Sequence, residues 1–199
     1  MEHIVDENGC AITIFKGTRG TMNRFDVQAL IHECSKLEAN DVYLETGSYL
    51  GLSSLIIASH SNAIVYAHDI WETDWTLLKG SPPPKVSDYF LRFYEMVKTN
   101  GFRSRIIPIR GASQYTVGIH DDDSVKLAFV DGDHSFEGCY NDLKMVLPKM
   151  KRGSVILVHD CYTPTSETTL AVMKFVEENK IENVGRVQNS CGMIRIQLA

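Results

Sequence analysis

Carboxylates in this 199-residue chain recur where apolar runs end. Glu45 follows Val42, Tyr43 and Leu44, and Asp69 follows the run at 63–67. Asp131 and Asp133 follow the run at 125–130, and Asp160 follows 154–158. His134 and His159 stand beside the last two groups. Such acids can hold hydroxyls, an ammonium group or a metal cation, and each disfavours ionisation of its neighbours unless a cation or donors sit between them. A histidine with an ordinary pKa of about 6.5 can take a proton from a hydroxyl at neutral pH. His134 is therefore the candidate general base, with Asp131 beside it as the second catalytic candidate. The competing reading is that His134 caps the next helix or orients Asp131. His159 precedes the rim, and the alternation of side chains along a strand points it elsewhere. The run Asp121–Asp123 lacks calcium-loop spacing and reads as a solvated turn.

Elements must bring these groups together. Val42–Leu44 reads as the end of a buried strand, and Leu52–Ser59 as the start of a helix. Gly47 and Gly51 lie in the turn between them. Strand, tight turn and helix form the nucleoside- or phosphate-cradling unit of doubly wound proteins. The dinucleotide fingerprint is incomplete, because Tyr49 stands where its second glycine belongs. Asp69 comes 24 residues after Glu45, where such folds place an acid on ribose hydroxyls. Further strands are predicted at 63–67, 105–109, 125–130 and 154–158. Helices are predicted from Asn23 to about Leu37, from Ser87 to Thr99, around Tyr140–Leu147 and over Thr168–Glu178. The segments 183–188 and 193–197 predict a closing antiparallel hairpin. The expected fold is α/β and Rossmann-like, a doubly wound, mostly parallel seven-stranded sheet with an antiparallel C-terminal hairpin strand. One domain is expected over 1–199, with residues 1–24 and 71–86 as candidate lid or substrate segments.

The composition narrows the class. A net charge of −5 argues against a broad nucleic-acid-binding face. No apolar run reaches the length of a membrane span. Five cysteines without a C-x-x-C pair predict neither a zinc ribbon nor a disulfide framework, and the expected setting is the reducing cytoplasm. Homo-oligomerisation is left open. In a parallel sheet the ligand lies at the carboxyl ends of the strands. Here those ends are Glu45, Asp69, Ser113, Asp131 and Asp160. Acids beside the turn repel a pyrophosphate, which seeks a helix N-terminus. S-adenosylmethionine has no phosphate and offers hydroxyls, an ammonium and a sulfonium. The rim therefore favours a methyl donor over NAD.

Five strings also carry a resemblance: E-T-G-S-x-x-G-x-S at 45–53, H-D-I-W at 68–71, G-A-S-Q at 111–114, F-V-D-G-D-H-S-F-E-G at 129–138 and R-G-S-V-I-L-V-H-D at 152–160. Together they resemble class I S-adenosylmethionine-dependent methyltransferases, in the family that includes cephalosporin-hydroxylase-like and macrolide-sugar O-methyltransferases. The resemblance implies that Glu45, Thr46, Gly47, Ser48, Gly51 and Ser53 line the methionine part of the cofactor. It implies that Asp69 holds the ribose, that Ile70, Ala112 and Ser113 meet the adenine, and that Asp131 lies between donor and acceptor. In metal-dependent relatives Asp131 and Asp160 match Mg²⁺ positions. The next such position is Cys161 here, a poor ligand for a hard cation, which leaves Asp133 as the candidate third oxygen. The implied function is O-methylation of a small-molecule hydroxyl, with Mg²⁺ as a candidate cofactor. A non-catalytic donor-binding module, an NAD-dependent oxidoreductase and an RNA methyltransferase are the alternatives.

Overall fold

A computed structural model of the chain describes residues 2–5, 11–14, 22–71 and 88–199, with backbone alone at 2–5, 11–14 and 88. The candidate lid segments at 1–24 and 71–86 fall mostly outside the described residues. Within the first of them, β1 (Glu2–Val5) and β2 (Ala11–Ile14) pair antiparallel.

The large sheet contains β3 (Val42–Thr46), β4 (Ile64–Asp69), β5 (Ile106–Arg110), β6 (Val125–Val130), β7 (Met150–Val158), β8 (Val184–Arg186) and β9 (Ile194–Gln197). Its order is β5-β4-β3-β6-β7-β9-β8. The first five strands run parallel, and β9 pairs antiparallel with both β7 and β8. This is the doubly wound sheet with an antiparallel end that the sequence predicts. The strands are apolar on successive residues because both sheet faces are covered. Tyr43, Val65, Leu127, Phe129 and Leu157 pack on one face. Leu44, Ala128, Val130, Ile156 and Val158 pack on the other.

Helices α1 (Arg24–Cys34), α2 (Leu52–His60) and α3 (Asp88–Thr99) supply the first layer, through residues such as Leu30, Ile56 and Phe93. Helices α5 (Phe136–Val146) and α6 (Glu167–Glu178) supply the second, through Leu143 and Phe175. A four-residue α4 (Ser113–Thr116) follows β5. Asn23 caps α1 as expected, its side chain accepting from the Phe25 and Asp26 N–H groups while Asp26 accepts from the Asn23 N–H. Several boundaries differ from expectation, among them the end of α1 at Cys34 rather than Leu37, and two show their cause. β7 begins at Met150 rather than Ser154, because Gly153 at φ +70 lets the strand bend without ending. β4 continues through His68 and Asp69 because β5 keeps pairing there. The strand order reverses between β3 and β6, which opens the crevice at their carboxyl ends.

Candidate active site

The β3–α2 turn is held by backbone groups. Gly47 N–H donates to His68 O at 2.9 Å. Gly47 has φ +84, and a Cβ there would lie 2.0 Å from Asp131 O. Only glycine lets the turn press against the end of β6. Gly51 likewise has φ +83, and a Cβ would meet the Phe93 ring at 2.9 Å. Asp69 stitches the neighbouring loop to this turn, accepting from Tyr49 N–H at 2.7 Å and Trp71 N–H at 2.6 Å. The Trp71 indole donates to Tyr49 O at 2.8 Å. Burial raises the pKa of Asp69, and the two N–H groups act against that rise. Asp69 and Asp131 thus flank one turn, while Ile70 is partly exposed beside it.

Glu45 lies below the rim. It is fully buried, with Tyr43 Oη donating at 2.8 Å and Ser54 Oγ at 2.5 Å. Burial raises its pKa, opposed by the serine and tyrosine donors. Glu45 therefore braces β3 against α2. Ser48 is buried in the same turn and Ser53 in the first turn of α2, with Ser48 Oγ 3.3 Å from His68 O. Ser113, beside the half-buried Ala112, donates its hydroxyl to Asp142 of α5. The sequence reading missed Asp142. It is buried, and a Cβ on Gly132 would meet its Oδ2 at 2.9 Å, so it sits beneath the D-G-D-H loop. Only its place inside an otherwise apolar helix face could have signalled it. Thr46 is also buried there.

The ends of β6 and β7 gather a second group. His134 Nε2 lies 2.7 Å from Asp160 Oδ2 and 3.8 Å from Asp131 Oδ1. His159 Nδ1 lies 3.1 Å from Asp160 Oδ1 and 3.3 Å from Asp131 Oδ1. Tyr162 Oη donates to Asp160 as well. The expectation that His159 points elsewhere is overturned. Alternation puts His159 on the same sheet face as Asp131, and Asp160 then takes φ +58, which turns its carboxylate back to the same rim. His134 does not cap α5; Ser135 does, with Gly138 N–H donating to its Oγ at 3.0 Å. Asp133 is exposed and accepts from Ser135 N–H at 2.9 Å, outside the group formed by Asp131, His134 and Asp160.

Charge is shared unevenly. Burial raises Asp131, and the Asp160 charge adds to this against the pull of His159. Burial also works against an ionised Asp160, but His134, His159 and Tyr162 hold it well below the usual carboxylate range. Burial disfavours charged imidazoles, yet Asp131 and Asp160 hold His159 well above its ordinary value. His134 is raised too, because the Asp160 hydrogen bond and charge outweigh its burial. Ligand atoms of Asp131, His134 and Asp160 all lie within 4.8 Å of one another. That spacing fits one divalent cation, and the donor set mixes carboxylate oxygen with imidazole nitrogen. Cys161 is buried in the core with its thiol toward His159 O at 3.6 Å, and burial raises its pKa, so it contributes no ligand.

Residues 44–161, more than half of the chain, match a family described as a methyltransferase domain. The chain belongs to this family. It is a class I S-adenosylmethionine-dependent methyltransferase by family and by fold. No curated protein matches it in sequence. Its fold is similar to that of a Corynebacterium glutamicum protein, with a TM-score of 0.69, 17% identity, and coverage of 90% of this chain and 83% of that one. The O-methyltransferase NovP is similar with a TM-score of 0.64, 15% identity and coverage of 89% and 81%. A putative rRNA-methylase from Clostridium thermocellum is similar with a TM-score of 0.63, 16% identity and coverage of 90% and 100%. Identities this low establish the shared fold and leave the acceptor to the site itself. Among the described residues, no helix is long and apolar enough to cross a membrane.

Proposed function

We propose that this methyltransferase moves a methyl group from S-adenosylmethionine to a hydroxyl of a small molecule, with His134 as general base. The observation that carries this reading is the convergence of Asp131, His134 and Asp160 at the rim, beside the Gly47 turn. In this reading the turn residues Thr46, Gly47, Ser48, Gly51 and Ser53 cradle the methionine part, and Glu45 supports them from below. Asp69 takes the ribose, and Ile70, Ala112 and Ser113 border the adenine. The His134 side chain is 37% exposed, so an acceptor can reach it. Asp160 receives the ring's Nε2–H, which fixes the tautomer that makes Nδ1 the basic nitrogen. The raised pKa of His134 strengthens it as a proton acceptor. Asp131 then faces the acceptor and donor from the end of β6. The remaining work is alignment of the hydroxyl oxygen with the sulfonium methyl.

With His134 serving as a ligand in place of its role as base, Asp131, His134 and Asp160 would hold a divalent cation, Mg²⁺ or a borderline metal, which would polarise the acceptor oxygen. Asp133 is one residue from the cluster and is kept as a secondary ligand candidate. The O-methyltransferase activity of NovP and the net charge of −5 support a small, non-nucleic-acid acceptor. Among the described residues Cys34, Cys139 and Cys161 are buried free thiols, which supports a reducing, cytoplasmic setting. The test joins calorimetry with S-adenosylhomocysteine to a screen of hydroxylated acceptors. We expect donor binding in both wild type and His134→Gln, with turnover in the variant reduced about 100-fold. Absence of S-adenosylhomocysteine binding by the wild type would sink the reading.

A further inference from the structure

Asp131 and Asp160 leave different strands and are drawn into one rim, although like charges at that range repel. Something must hold them. Two imidazoles grip Asp160 from opposite sides, His134 on Oδ2 and His159 on Oδ1. Only His159 also reaches Asp131 at hydrogen-bonding range, with Nδ1 3.3 Å from Asp131 Oδ1. Its ring is 3% exposed and stands edge-on to Phe129, with centroids 6.0 Å apart. No substrate can touch it.

The far side of the ring is anchored as well. His159 Nε2 is buried without a hydrogen-bond partner and lies 3.5 Å from Asp26 Oδ2, at ion-pair distance. Asp26 is fully buried and cannot move toward it. Its Oδ2 accepts from Asn23 N–H at 2.8 Å and its Oδ1 from Cys191 N–H at 3.0 Å. The start of α1 and the loop before β9 thereby fix the place of the ring.

We infer that His159, backed by Asp26, is a positioning residue that clamps Asp131 and Asp160 at the spacing the rim requires. This rests on the reading of those two acids as the reacting rim. A carboxylate oxygen only accepts, so Nδ1 must carry the hydrogen shared between them. With that hydrogen removed, Asp160 swings away from Asp131 and loosens its hold on His134.

Side-chain NMR on the full chain tests this, because ¹H–¹⁵N spectra of the rings report which nitrogen is protonated. The wild type should show a slowly exchanging hydrogen on His159 Nδ1 and one on His134 Nε2. His159→Asn places an amide N–H where Nδ1 was, and should keep the His134 Nε2–H signal. His159→Gln places it where Nε2 was, and should lose that signal while keeping the wild-type far-ultraviolet spectrum. A ring that merely filled space would make the two variants alike, and that result overturns the inference. A bare Nδ1 in the wild type overturns it too, and decides the matter even if both variants fail to fold. The spectra need neither donor nor acceptor, so this result and the fate of the methyl-transfer reading are read separately.

Discussion

The Gly47 turn and the histidine–carboxylate cluster share one rim but are built from different material. The turn is made of backbone. Its contacts are mainly N–H and C=O groups of residues 47–51 and 68, joined by the carboxylate of Asp69, the Trp71 indole and the Ser48 hydroxyl. The cluster is made of side chains, brought from β6, β7 and α1 across more than a hundred residues. A backbone-made site tolerates most changes of side chain and fails where a Cβ appears. A cluster made of side chains tolerates small shifts of backbone and fails where one hydrogen bond is lost.

The sharpest break in that comparison is Gly47→Ala. The new methyl would sit 2.0 Å from Asp131 O at a φ of +84 that L-residues avoid. Left-handed strain and overpacking together should cost about 3 kcal/mol or more. Denaturant unfolding should show the loss, and calorimetry should show no S-adenosylhomocysteine binding. Near-wild-type stability would mean that the turn does not press on β6 as described.

The same contrast explains what the sequence made legible. Successive apolar residues bounded by glycine revealed β3, α2 and the turn, because positive φ and close approach leave glycine as the tolerated residue. The mostly parallel, doubly wound sheet followed from strands that alternate with helices, and the closing antiparallel pair from the two strand-like segments after the last helix. Glu45 was read onto the rim because it follows an apolar run, yet its parity with Tyr43 sends it inward to Ser54. His159 was read off the rim by the rule that neighbours on a strand face opposite ways. That rule ends where the strand ends, and the left-handed Asp160 lets both neighbours serve one site. Asp26 and Asp142 were invisible for a related reason. An acid in an amphipathic helix looks solvated until the partner that buries it is known.

Asp69→Ala should be milder than Gly47→Ala, since it removes acceptors without adding bulk. It leaves the N–H groups of Tyr49 and Trp71 without the carboxylate that binds them. A cost of about 2 kcal/mol is expected for stranding such donors. Asp69→Asn retains one acceptor oxygen and should recover part of it. Thermal unfolding of both variants checks the ranking. Equal loss in the two would assign the effect to charge and leave the turn's hydrogen bonds without weight.

A change of pH separates the cluster from the turn. His159 is held above its ordinary value, so the folded chain keeps a proton that the unfolded chain releases above about pH 6.5. Its contribution is complete below that pH and is lost as pH rises toward the folded value. Asp160 is depressed, so its contribution is present above about pH 4 and is lost as pH falls further. Glu45, Asp69, Asp131 and Asp142 are raised, and they too favour the acid side as pH climbs above the ordinary carboxylate range. Chelator-treated protein should therefore lose stability from pH 7 to 9. Each proton so retained adds up to about 1.4 kcal/mol per pH unit, and His159→Gln should lower that slope more than Asp69→Asn does. Unfolding in urea at several pH values measures both, and parallel lines for wild type and His159→Gln would show that the imidazole between Asp131 and Asp160 carries no charge.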